Sequence, residues 1–221
     1  MSDVPAGPQA AWIGALLPIA FGYLCGALPF GLWVGRLFRG VDVRTLGSGN
    51  LGATNVYRTL GPGLGILTLV LDALKGALPV ALAGRLPGAH ALPGGVETAS
   101  ILAGLAAVCG HMWTFLAGFR GGKGVATSAG VLLALHPPAF GIFALVFVLT
   151  VAITRFISLG SILGSLAFAV ALAWWSPGGV RSLRFVCGAV LALLVVARHR
   201  DNVRRLLRGE ERRFALKGSK S

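Results

Sequence analysis

The stretch from Val4 to Gly35 contains no charged residue, and this feature constrains the fold more than any other. About 20 consecutive apolar residues suffice for a helix to cross a bilayer. Over its 221 residues the chain is 55% hydrophobic and 12% charged, about half the charged fraction of a soluble domain. Because the stretch is long and has no basic leading segment, we expect a spanning helix and not a cleaved signal peptide. The sequence therefore predicts an all-α integral membrane protein.

Apolar runs separated by helix breakers predict a polytopic bundle of about seven transmembrane helices. The predicted spans are Ile13 to Leu37, Leu60 to Ala83, Ser100 to Phe119, Val125 to Leu135, Ala139 to Thr154, Ile157 to Trp175 and Phe185 to Ala197. The fourth run is shorter than a bilayer is thick, and the seventh needs its flanking arginines to reach the membrane surface. Five full spans plus a re-entrant segment is therefore the alternative.

The basic residues are distributed unevenly between the two sides of this bundle. With seven spans, the loops on one side contain only Arg85, Arg181 and Arg184, whereas most other Lys and Arg lie in the opposite loops and the tail. Because positively charged loops face the cytoplasm, we predict an external N-terminus and a cytoplasmic C-terminus. We expect one transmembrane catalytic domain at residues 1–198 and a basic cytoplasmic tail at residues 199–221. The net charge of +13 then indicates contact with anionic lipid and not with nucleic acid.

The first predicted cytoplasmic loop combines glycines with hydrogen-bond donors and one cation. Successive backbone N–H groups in such glycine-rich segments form nests for anions, and an arginine suits phosphate. The candidate binding residues are Gly47, Ser48, Asn50, Thr54, Asn55 and Arg58. The segment also matches G-x-G-x-x-G, but the strand–turn–helix context of a dinucleotide fold is missing. We predict an anion-binding loop, with an ordinary flexible loop as the alternative.

The second polar segment, from Gly118 to Gly124, surrounds one lysine with glycines. A nucleotide-binding P-loop would need glycine at position 117 and Ser or Thr at position 124, where Ala117 and Gly124 stand. This excludes a nucleoside-triphosphate site but leaves candidates for binding a phosphate. Those candidates are Gly121, Gly122 and Lys123. His111, shortly before the segment, is either a ligand contact or a hydrogen-bonding residue at a helix end.

Two further polar segments lie on the same predicted side. Ser158 follows Arg155 at the start of a span, where a serine often bonds only to its own helix. His199 and Asn202 are three residues apart, so they share one face of a helix. The rest of the tail alternates apolar residues with arginines, which is typical of a basic helix on a membrane surface. Since all four segments fall on the cytoplasmic side, we expect them to form one site.

Other features restrict the chemistry. Asp72 and Lys75 lie three apart inside the second span, where a charged residue is either functional or half of a neutralising pair, and we favour structural support. The three cysteines form no C-x-x-C pair, so we expect neither a metal site nor a disulfide. There is no G-x-S-x-G nucleophile elbow and no H-E-x-x-H zinc motif. A transporter is the leading rival, but the two halves show no repeat and the polar motifs lie at one surface.

Taken in order, the four polar segments resemble the bacterial acyl-phosphate:glycerol-3-phosphate acyltransferase family. The resemblance covers nearly the whole chain and rests on residues 47–55, 121–127 and 158–160 and on the pair His199 and Asn202. Ala27 and Val203 depart from the family pattern, in which serine and isoleucine are expected.

The resemblance implies a multi-pass enzyme of the bacterial inner membrane. It implies transfer of a fatty acyl group from acyl phosphate to the sn-1 hydroxyl of sn-glycerol 3-phosphate, giving lysophosphatidic acid and phosphate. This is the first committed step of phospholipid synthesis, downstream of an enzyme that forms acyl phosphate, with no metal and no cofactor. The implied catalytic residues are Ser48, Arg58, Lys123, His199 and Asn202, with Ser158 also at the phosphate site. We expect direct attack by the substrate hydroxyl, with His199 as a general base the alternative.

Overall fold

The computed structural model describes residues 8–214, and all regular structure within them is helical. The helices are α1 Pro8–Gly26, α2 Phe30–Arg39, α3 Ala53–Leu60, α4 Pro62–Leu82, α5 Gly95–Met112, α6 Val125–Leu135, α7 Pro137–Thr154, α8 Ile157–Trp175, α9 Leu183–Arg198 and α10 Arg200–Leu207. The chain forms two compact units, the first ending at Leu135 and the second beginning at His136. Helices α1 to α6 belong to the first unit and α7 to α10 to the second. The division predicted after residue 198, between the catalytic domain and the basic tail, stays a prediction. Lys217 and Lys220 of that predicted tail lie outside the described residues.

Five segments of the described chain are long and apolar enough to cross a membrane. They are Gly14–Arg39, Pro62–Arg85, Gly95–Ala117, Pro137–Thr154 and Ile157–Trp175. Helices α6 and α9 coincide with the two other predicted spans but have 11 and 16 residues. At 1.5 Å per residue they fall short of a hydrocarbon core of about 30 Å. The integral membrane, all-α class is confirmed, whereas the count of seven spans and the orientation of the termini stay predictions.

The first predicted span is not one continuous helix but is broken between α1 and α2. The break falls at Pro29, which has no N–H to donate and disfavours helical backbone at the residue before it. Carbonyl groups released by a break inside a membrane need new donors. The Thr114 hydroxyl donates to Ala27 O, and Lys75 Nζ donates to Leu28 O at 2.7 Å. The completely buried Ala27 thus takes part through its backbone.

Close helix packing in the first unit depends on small residues. A Cβ added to Gly26 would overlap Ala107 O across the α1–α5 contact, and one added to Gly130 would overlap Ala73 O across the α4–α6 contact. Small residues allow two helix backbones to approach closely, which is typical of helix association in membranes. This packing holds α4, α5 and α6 together, and these helices carry the buried polar residues Asp72, Lys75 and His111.

The second unit is held together by aromatic packing along α8. The Phe143 ring of α7 meets the Phe168 ring of α8 edge to face, with centroids 6.4 Å apart. A Cβ added to Gly164 would lie 3.0 Å from the Phe143 ring, so α7 also approaches α8 closely. On the other side of α8, Leu172 packs against Gly188 of α9. These contacts set the position of the N-terminus of α8, where Ser158 lies.

Candidate active site

The loop from Gly47 to Gly52 is held by the side chain of Asn55. Asn55 is 4% exposed, and its Nδ2 donates to Val43 O and to Leu46 O, both at 3.1 Å. Its Oδ1 accepts from Ser48 N at 2.9 Å and from Ser48 Oγ at 3.2 Å. An amide has two donor and two acceptor positions, so these bonds engage the whole side chain. The arrangement favours a role for Asn55 in shaping the loop and orienting Ser48.

The remaining polar residues of this loop divide into two groups. Asn50 Oδ1 accepts from Gly52 N at 2.8 Å, so this side chain closes a local turn before α3. Gly47 and Gly49 have φ values of 61° and 69°, a conformation that a residue with a side chain rarely adopts. Ser48 and Arg58 are exposed and Thr54 is half-buried. Thr54 and Arg58 are four residues apart on α3, so they lie on one face of that helix. Their role in binding an anion stays a prediction.

The glycine loop, residues 118–124, folds back onto the end of α5. Gly121 N donates to Met112 O at 3.2 Å, and Gly122 N donates to His111 O at 3.1 Å. A Cβ on Gly121 would overlap His111 O, and one on Gly122 would overlap the Nε2 edge of the His111 ring. These two N–H groups therefore bind the protein itself, and only glycine fits at either position. The two glycines place Lys123, which is half-buried, directly before the N-terminus of α6.

The N-terminus of α6 has further polar groups. Because the first N–H groups of any helix have no partner within it, a helix N-terminus attracts anions. Thr127 and Ser128 in the first turn are 0% and 2% exposed, and their hydroxyl groups have no hydrogen-bond partner among residues 8–214. The lysine and the helix N-terminus together suit a phosphate group.

His111 belongs to a buried charged cluster with Asp72 and Lys75, which we call the Asp72–Lys75–His111 cluster. The three residues are 1%, 4% and 5% exposed. Lys75 Nζ lies 2.8 Å from Asp72 Oδ1, and His111 Nδ1 lies 3.6 Å from the same oxygen. The neutralising pair that the sequence suggested is present, and the histidine is its third member. Lys75 also lies 5.6 Å from the centre of the Phe30 ring.

In the second unit, Ser158 and Asn202 are brought together by Glu211. Ser158 Oγ donates to Glu211 Oε1 at 2.9 Å, and Asn202 Nδ2 donates to the same oxygen at 2.7 Å. Arg205 Nε donates to Oε2 at 2.8 Å. Burial raises the pKa of Glu211, but hydrogen bonds from Asn202, Ser158 and Arg205 outweigh it, so the pKa lies below its usual value. Sequence reasoning missed Glu211; the only signal was an acid in a basic tail.

His199 lies at the junction of α9 and α10 and is 2% exposed. Its Nδ1 is 2.8 Å from Val195 O. Because a carbonyl oxygen can only accept, Nδ1 carries a proton, and Nε2 is the acceptor nitrogen whenever the ring is neutral. Asn202 lies in α10 and is also buried, whereas His199 is the residue between the two helices, so the common helix face predicted for the pair stays a prediction.

The chain is similar to known proteins over most of its length. A family profile described as "Glycerol-3-phosphate acyltransferase" matches residues 16–209. A protein of that name from Desulforudis audaxviator is 42% identical over 93% of this chain and 98% of its own. Another from Myxococcus xanthus is 47% identical over 89% and 97% of the two chains.

Solved structures resemble the chain over a similar length. The crystal structure of PlsY (YgiH), described as an integral membrane glycerol 3-phosphate acyltransferase in its glycerol 3-phosphate form, superposes with a TM-score of 0.80. It is 39% identical, over 91% of this chain and 96% of the other. The lysophosphatidic acid form superposes with a TM-score of 0.78 at 38% identity, over 91% and 95% of the two chains.

Proposed function

The chain belongs to the glycerol-3-phosphate acyltransferase family, and from this membership we propose that it uses acyl phosphate as its acyl donor. The membrane glycerol-3-phosphate acyltransferase activity itself is supported by the family match and by both solved relatives. In the proposed reaction a fatty acyl group passes to the sn-1 hydroxyl of sn-glycerol 3-phosphate. The products are lysophosphatidic acid and inorganic phosphate. PlsY has solved forms named for glycerol 3-phosphate and for lysophosphatidic acid, which supports this substrate and product.

The observation that carries the proposal is the concentration of phosphate-binding features in the first unit. Exposed Arg58, half-buried Lys123 and the N-terminus of α6 supply positive charge and oriented donors. Glycerol 3-phosphate and acyl phosphate are both anionic, so binding both requires cations to offset their repulsion. We assign Arg58, Lys123 and Ser48 to the binding and neutralisation of phosphate groups.

The proposed mechanism is direct attack on the acyl carbonyl. An acyl phosphate is a mixed anhydride, already activated because phosphate is a good leaving group. The sn-1 hydroxyl oxygen forms the new ester bond, the carbonyl–phosphate bond breaks, and the hydroxyl proton passes to the departing phosphate. The protein then contributes positioning and stabilisation of developing negative charge. No strong protein nucleophile is needed.

Within the second unit, the proposed catalytic residues are His199 and Asn202, and Ser158 is proposed to bind phosphate. Glu211 holds the Ser158 hydroxyl and the Asn202 amide, so both side chains have one fixed orientation. The His199 ring is fixed through Nδ1 and presents Nε2 as an acceptor. A base at this nitrogen is the alternative to direct proton transfer to phosphate. The proposed location is the cytoplasmic face of the bacterial inner membrane, downstream of an enzyme that forms acyl phosphate.

Acyl transfer to labelled glycerol 3-phosphate tests the proposal. Purified protein is incubated with palmitoyl phosphate, without metal or coenzyme A, and palmitoyl-CoA is used in a parallel reaction. Labelled lysophosphatidic acid from palmitoyl phosphate alone is the expected result. Product only from the thioester would overturn the donor assignment. If the folded protein gives no product with either donor, transport of a phosphorylated solute would become the leading hypothesis for its function.

A further inference from the structure

The Asp72–Lys75–His111 cluster is more elaborate than charge neutralisation requires. Burying an ion pair removes two charges from water, and a buried pair by itself is weak evidence for stability. Here Lys75 Nζ contacts not only Asp72 Oδ1 at 2.8 Å but also Leu28 O at 2.7 Å, and Leu28 lies within the helix break. The cluster thus connects α4 to the break between α1 and α2.

The same cluster is connected to the glycine loop through His111. The ring approaches Asp72 with Nδ1, and its Nε2 edge packs against Gly122. The backbone of the same residue accepts from Gly122 N at 3.1 Å. A shift of the His111 ring therefore acts on Gly122, the residue directly before Lys123.

We propose that Asp72, Lys75 and His111 are positioning residues that fix the glycine loop, and with it Lys123, for binding the phosphate of glycerol 3-phosphate. This inference rests on the proposed function for its substrate. It goes beyond structural support because it predicts an effect on substrate binding in a protein that remains folded. The cluster contacts the glycine loop, so its loss loosens residues 118–124 and weakens phosphate binding at Lys123.

The test uses a double variant, Asp72→Asn with Lys75→Met, which removes both charges and leaves no uncompensated buried charge. Thr68→Val is the matched control, because Thr68 lies one turn earlier on α4, is 0% exposed, and donates to Leu64 O within its own helix. Three quantities are measured: the melting temperature, hydrogen exchange of residues 118–124 without ligand, and KM for each substrate. If the double variant does not fold, His111→Leu replaces it, since leucine fills the site without a ring nitrogen.

The expected result is a folded variant whose loop amides exchange about tenfold faster than in the Thr68→Val control. KM for glycerol 3-phosphate should rise by about fivefold. Loop exchange or a KM for glycerol 3-phosphate at the wild-type value in the folded variant would overturn the inference. If the wild-type protein transfers no acyl group, the proposed function fails. The inference is then tested by hydrogen exchange alone: faster exchange of residues 118–124 in the double variant than in the Thr68→Val control supports it, and equal exchange overturns it.

Discussion

Replacing Glu211 with glutamine should destabilise the second unit and disorder two candidate site residues, Ser158 and Asn202. The glutamate side chain is 4% exposed and accepts from Ser158, Asn202 and Arg205 at 2.7–2.9 Å. Glutamine has the same shape, and its carbonyl can still accept from Ser158 and Asn202. Those two hydrogen bonds then have a neutral acceptor. Each contributes about 1.5–3 kcal/mol to the free energy of unfolding when the acceptor is charged, and about half of that when it is neutral. The amide nitrogen then faces the Arg205 donor.

The loss at Arg205 is smaller because its side chain is 40% exposed and water screens the pair. We assign it about 0.2–1 kcal/mol. The total for Glu211→Gln is therefore about 2–4 kcal/mol, which corresponds to a fall in melting temperature of roughly 5–15 °C for a chain of this size. Acyl transfer should fall as well, since the orientations of Ser158 and Asn202 depend on this carboxylate.

Thermal unfolding of the purified protein in detergent measures the effect, with Glu210→Gln as the matched control. Glu210 is adjacent and exposed, so its replacement removes the same charge from solvent. A melting temperature for Glu211→Gln within about 2 °C of the control would refute the three-bond argument.

The difference in melting temperature between Glu211→Gln and Glu210→Gln should depend on pH in a defined direction. The folded-state pKa of Glu211 is lowered, so its contribution to stability is present above the unfolded-state pKa of about 4.3 and is lost as pH falls through the folded value. The difference in melting temperature between the two variants should therefore be largest near neutral pH and shrink below about pH 4.3. A constant difference over that range would contradict the assignment.

Three other substitutions test Lys123, Gly122 and His199. Lys123→Met should lower kcat/KM by about 10²–10³ because it removes a cation that neutralises phosphate, and initial rates within about threefold of wild type would exclude that role. Gly122→Ala should raise KM for glycerol 3-phosphate, since the new methyl group overlaps the His111 ring, whereas Gly63→Ala, with no atom within 4 Å, should behave as wild type in the same assay. His199→Gln should retain activity within about tenfold if the substrate proton passes to phosphate, and a loss of about 10³ or more would establish His199 as the base.

The sequence alone determined the class of the protein and the position of its polar segments. Apolar runs and helix breakers act over neighbouring residues, so the positions of most helices follow from local sequence. Polar, glycine-rich segments between the apolar runs are equally local features. They include the loop from Gly47 to Arg58, the glycine loop, and the pair His199 and Asn202. Hydrophobicity did not reveal the break at Pro29, since a lone proline inside an apolar run is compatible with either a kink or a break.

Only the tertiary structure decided which polar groups face each other. Ser158 and Glu211 are 53 positions apart, so nothing local indicates that one accepts from the other. From its residue type and its place in a glycine-rich loop, Asn55 was a candidate donor to an anion. In the structure its side chain forms hydrogen bonds within the loop. Lys75 and Leu28 are 47 positions apart, and their bond exists because the chain breaks at Pro29. A hydrogen bond requires atoms to meet within about 3 Å, and that condition depends on how the helices pack, which residue types and their spacing along the chain do not specify.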